Sequence, residues 1–149
     1  MLARPHHMTL LIKRLAAAVL ALSALFVGGW AAFAPLSFYR DFPLPGRAWV
    51  SGLGPYNEHL VRDVGSLYLA LLVLAAWAAL RPTEELLRVT GAAWLIFGVL
   101  HFAFHATHLA MFSTFDRVTM LAALGGTVLL AALLVIPTGA AWSLPAQRR

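Results

Sequence analysis

Three histidines, His101, His105 and His108, stand in the segment HFAFHATHL at spacings of four and three. On a helix turning 100° per residue their side chains leave at about 0°, 40° and −20°, which is one narrow face. His101 and His108 are about 10.5 Å apart along the axis, so neighbouring pairs share an ion more readily than the outer two. His105 belongs to both neighbouring pairs. Neutral imidazole is the commonest metal ligand, and helix bundles build metal sites from histidines and carboxylates on facing helices. A second polar stripe lies in PYNEHLVRD, where His59 and Asp63 form an i,i+4 pair continued by Ser66 and Ala70. Glu58 and Arg62 form another such pair. Asp63 or His59 would complete the shell begun by the HFAFHATHL stripe. The candidate metal site is therefore His59, Asp63, His101, His105 and His108, for zinc, copper, iron or haem. Haem would take one axial histidine from each of two helices. The competing explanation is a polar network that hydrogen-bonds internally and only fixes helix register.

The elements that must position these residues are read from the apolar runs. The chain has 149 residues, 61% of them hydrophobic, with 11 Lys and Arg against 6 Asp and Glu. Its mean hydropathy is +0.80. Soluble domains run at about 45–50% apolar and about 25% charged, so a soluble fold is close to excluded and a disordered chain is excluded. A membrane span takes about 20 apolar residues, and four fit here. The runs predict helices over about 10–34, 57–81, 83–112 and 116–137. Asn57, Thr83 and Asp116 are their expected N-caps, and Arg81-Pro82 and Pro137 end the second and fourth. No run alternates with period two, so nothing suggests a β-barrel. The fold class is an all-α four-helix transmembrane bundle, one domain over 1–149. Ala32-Phe33-Ala34 has the form of a cleavage site, but the apolar run is too long for a signal peptide and Pro35 follows it, so the first helix is read as an uncleaved span.

Lys and Arg set the orientation. Arg4, Lys13, Arg14, Arg81, Arg88, Arg148 and Arg149 fall on one side, and Arg40, Arg47, Arg62 and Arg117 on the other. The positive-inside rule places both termini in the cytoplasm and the long first loop, about residues 35–56, outside. A pI near 10.8 then reflects topology, and no nucleic acid is needed to explain it. The loop holds Phe38, Tyr39, Phe42, Leu44, Trp49, Val50 and Leu53, too apolar for a solvated linker, and is expected to pack over the outer end of the bundle. Both polar stripes fall at that end. Ala17, Ala21, Ala24, Gly28 and Ala31 form a small-residue stripe for close helix contact. Trp30, Tyr39, Trp49, Trp77 and Trp142 are expected at the membrane interfaces, and Trp94 in the packing. His6-His7 reads as polar tail. Gly52-Leu53-Gly54-Pro55 is a loop turn without the strand and helix of a phosphate loop. The absence of cysteine removes disulfides, thiolate ligands and cysteine nucleophiles.

The stretch GPYNEHLVRDVGSLYLAL followed by HFAFHATHL, within about residues 49–109, resembles small uncharacterised four-helix integral membrane proteins of high-GC, actinobacterium-like bacteria. The resemblance implies a four-helix membrane protein and no particular reaction. The expected location is a bacterial inner (plasma) membrane, multi-pass, with the lipid bilayer and another membrane protein as partners. Three functions compete: a metal or haem site at the outer end, a structural or accessory subunit whose polar cluster fixes packing, and a membrane-embedded metal-dependent enzyme acting on a lipid-like substrate. The last lacks any HExxH-type motif.

Overall fold

The computed structural model describes residues 4–137. Trp142, Arg148 and Arg149, with the side chains of Arg4, His6 and His7, lie outside the described residues. The chain folds as helices α1 (Arg4–Phe33), α2 (Pro35–Asp41), α3 (Glu58–Leu80), α4 (Glu84–Thr107) and α5 (Thr114–Val135), with a 3₁₀ turn at Ser51–Leu53. Four of them, over Thr9–Phe33, Glu58–Leu80, Glu84–Thr107 and Thr114–Val135, are long and apolar enough to cross a membrane. No strand occurs among the described residues.

Local chemistry sets the helix starts. Asn57 accepts the Leu60 amide at 3.2 Å, and Thr83 accepts that of Leu86 at 3.3 Å. The last helix begins two residues before the expected Asp116. Ser113 caps it by accepting the Asp116 amide at 3.1 Å, and its hydroxyl donates to the Asp116 carboxylate at 2.6 Å. This reciprocal pairing satisfies two polar groups at once, as in a capping box.

Two tight helix pairs make the bundle. α1 packs mainly on α3, α4 mainly on α5, and sparser α1–α5 and α3–α4 contacts close the ring. The small-residue stripe of α1 is the first seam, with Ala17, Ala24 and Ala31 fully buried. At its centre Gly65 meets the backbone of Ala31 and Ala32, and Gly28 lies against Tyr68 and Gly65. Only glycine admits such an approach, and close backbone contact is what associates helices in lipid, where no hydrophobic drive acts between them. Gly91 serves the second pair, against Ala131 and Leu134 of α5. Leu20, Leu71, Ala75, Leu87, Trp94 and Leu134 fill the half of the bundle nearer the termini.

Lys13, in the first half of α1, is 1% exposed. Its ammonium donates to the Leu134 carbonyl at 3.3 Å, to the Ile136 carbonyl, and to Glu84 at 3.4 Å. It thereby satisfies carbonyls that the end of α5 leaves without intrahelical partners.

At the opposite end, the segment between α1 and α3 covers the bundle. Phe38 is buried with its ring tilted against that of Phe42 at 4.6 Å, and Trp30, Phe26 and Trp49 extend the ring cluster. Trp49 Nε1 donates to Asp116 at 3.0 Å and Arg47 pairs with the same oxygen at 3.3 Å, tying the segment to the start of α5. The Tyr39 hydroxyl donates to the Gly54 carbonyl at 2.7 Å. Gly46, at φ 85°, makes the turn that returns the chain toward Trp49. Leu44, at the tip, stays exposed.

Candidate functional site

Beneath this cover, between the α1–α3 and α4–α5 pairs, lies a cavity of about 530 Å³. Phe38, Phe42, Trp49 and Val50 roof it, and Val64, Met120 and Leu124 are among its walls. Its polar groups are Ser23, Tyr68, Thr127, His101 and His105, with the Trp49 indole in the roof. No Lys, Arg, Asp or Glu lines it among the described residues. Ser23 and Thr127 donate to carbonyls of their own helices, Leu20 and Leu124, each at 2.8 Å. That leaves the imidazoles and the Tyr68 phenol as the groups suited to bond a guest.

His101 and His105 do share a face and turn into the bundle. Their rings meet edge to face at 4.6 Å, and His101 stacks on Phe97 at 5.1 Å. His105 Nδ1 is buried without a hydrogen-bond partner. An unpaired buried polar atom costs about 1–3 kcal/mol, and Trp94 Nε1 in the packed core is left in the same state.

The other three expected members go elsewhere. The apolar run predicts that α4 continues to about 112, but the helix stops at Thr107, and His108 becomes its C-cap. Thr107 donates its hydroxyl to the Phe104 carbonyl at 2.9 Å, and His108 Nδ1 donates to the same carbonyl at 2.8 Å. Side chains thus satisfy the last turn, and Arg117 fastens the short link to α5 through the Ala110 and Phe112 carbonyls at 3.1 and 2.8 Å. His108 lies exposed, stacked on Phe104 at 4.2 Å.

His59 and Asp63 pair with each other at 3.3 Å, but with their side chains 82% and 59% exposed on the outer face of α3. The Gly65 approach to α1 sets this rotation. It turns Val61, Gly65 and Tyr68 inward and sends the stripe His59, Asp63, Ser66 and Ala70 outward. Being near a helix end, that stripe escapes most of the cost of polar groups in hydrocarbon. Arg62 bonds Glu58 at 2.9 Å and also the Ala32 carbonyl near the end of α1. Among the described residues no three His, Cys, Asp or Glu side chains converge on one point. Just outside α3, partial burial and then the Glu58 carboxylate hold the Tyr56 phenol above its ordinary value.

Of the five candidate ligands the structure brings together His101 and His105, two imidazoles on one helix, without Asp63 or His59 facing them. Sequence reasoning missed Tyr68 and the aromatic roof as parts of the site. Tyr68 carried a signal, since it lies seven residues from Val61 on the face that Gly65 opens. No known protein family, curated protein or solved structure matches the chain.

Proposed function

We propose that this is a multi-pass protein of the bacterial inner membrane, termini in the cytoplasm, that holds a neutral lipid by its polar end in the cavity under the first loop. The observation that carries this reading is the pairing of an apolar chamber of about 530 Å³ with two imidazoles and, among the described residues, no charged wall residue. Chambers of about 300–1,000 Å³ with a few convergent polar groups are the usual form of a small-molecule site. The absence of countercharge disfavours an anionic or cationic head, because an unpaired charge is costly to bury. A hydroxyl or carbonyl suits imidazole, which donates from one nitrogen and accepts at the other. The positive-inside distribution of Lys and Arg supports the orientation.

A metal ion here would have two protein donors, and zinc sites take three or four. Haem bound between two helices would need an inward histidine outside α4, and His59 points outward. The neutral-lipid reading uses the cavity as it stands.

The test is a titration of the full-length protein in nanodiscs with a long-chain alcohol, its phosphate ester and the matching alkane. The alcohol should bind the most tightly. Replacing both imidazoles, as His101→Leu with His105→Leu, should weaken the alcohol by about tenfold, the worth of one hydrogen bond, and leave the alkane unchanged. Equal binding of alcohol and alkane, or an unaffected double variant, overturns the reading.

A further inference from the structure

A second apolar recess, of about 580 Å³, lies on the outside of the bundle between α3 and α4. Leu67 and Leu71 form one bank, and Ala93, Ile96 and Leu100 the other. Its end nearest the first loop is closed by His101 and Phe104, and both residues also line the inner cavity. One pair of side chains is thus the partition between the chamber and the surface of the bundle. Phe104 is 47% exposed and lines both volumes. The seam is also lightly built. α3 and α4 touch more sparsely than either tight pair, and no glycine draws them together.

Resting on the neutral-lipid reading, we infer that the α3–α4 recess is the subsite for the hydrocarbon tail of that lipid, which reaches the cavity sideways from the bilayer past His101 and Phe104. The occupant is identified by continuity. A lipid whose polar end bonds the His101 or His105 imidazole must pass its tail out of the chamber, and the recess begins at the same two residues. All its lining residues except His101 are apolar. Its banks lie within Glu58–Leu80 and Glu84–Thr107, two of the helices long and apolar enough to cross a membrane. The lipid is thereby narrowed to one neutral head on a single unbranched or isoprenoid chain, since one groove accepts one tail. On this reading the tail runs beside the Phe104 ring, which lines both volumes.

The experiment uses the full chain in nanodiscs with a long-chain alcohol carrying a diazirine midway along its tail. After irradiation, labelled positions are read by peptide mass spectrometry, with and without excess unlabelled alcohol. Label on Leu67, Ile96 and Leu100 that the competitor removes is the expected result. Leu67→Trp, which fills the recess, should abolish that label, and Leu129→Trp, on the exposed face of α5, should leave it. Label that the competitor does not remove identifies ordinary surrounding lipid and overturns the inference. So does competed label confined to α1 and α5, which places the tail at the other seam. A short-chain alcohol, too small to reach the recess, separates the two readings. If it still binds in a His101- and His105-dependent way while the tail label fails, only the tail subsite falls. If it does not bind, the cavity reading falls.

Discussion

Gly65→Ala tests what holds the bundle together. A Cβ at this position would strike the Ala32 backbone nitrogen and come within 2.9 Å of Ala31 C and Ala32 Cα. All three are backbone atoms of a neighbouring helix, so no side chain can rotate away. Carbon contacts settle near 3.5–4.0 Å, so α1 and α3 must separate by roughly 1 Å. Separation loosens the whole small-residue seam from Ala24 to Ala31, and overpacking of this kind costs about 1–3 kcal/mol. Alanine recovers about 1 kcal/mol of helix propensity, a gain that offsets the smallest of these costs only. Gly126→Ala is the matched control, because a Cβ there meets nothing within 4 Å. It should be neutral or stabilising. The assay is reversible unfolding in mixed micelles by titration with a denaturing detergent. Gly65→Ala should lie below Gly126→Ala by about 1–3 kcal/mol, a factor of about 5–150 in the unfolding equilibrium. Equal stabilities would refute the claim that backbone contact at Gly65 sets the α1–α3 seam.

The same geometry gives three further expected outcomes. Lys13→Met should destabilise the protein by about 1–3 kcal/mol in the same unfolding assay, because the Leu134 and Ile136 carbonyls lose their donor. Asp116→Ala should free the first loop from α5 by removing the Trp49 and Arg47 contacts, and trypsin should then cut at Arg40 and Arg47 faster than in the parent protein. A reporter fused after residue 149 should read cytoplasmic and one inserted at residues 44–46 external; the reverse pattern would contradict the charge-based orientation.

Sequence periodicity resolves which residues share a face, and here that was enough for α1. Small side chains at four-three spacing have one use in a membrane helix, and Ala17, Ala24, Gly28 and Ala31 are buried on that seam. Periodicity does not resolve which way a face looks. The stripes His59–Asp63 and His101–His105 have equivalent spacing, yet one faces out and the other in. The difference is made by Gly65, whose partner backbone lies about thirty residues away in the chain. His108 shows a second limit. Its place on the stripe depends on the helix continuing, and Thr107 and His108 themselves end it by bonding the Phe104 carbonyl. Neither glycine nor proline marks that stop. The cavity was illegible for a related reason. It is a volume between two helix pairs, each tight on its own account, and volume is not a property of any one segment. Its roof was more accessible, because a loop as aromatic as 35–56 has few places to put its rings other than over the bundle end.

The central claim, that His101 and His105 face a chamber holding a neutral lipid, is tested most directly by native mass spectrometry of the full-length protein released from its own membranes. The account predicts one neutral, single-chain lipid per protein chain. That lipid should be retained in Leu129→Trp and lost in Ser23→Phe, whose ring occupies the chamber. A protein whose bound mass is a stoichiometric metal ion or haem, or one that carries no lipid distinguishing it from Ser23→Phe, would contradict it.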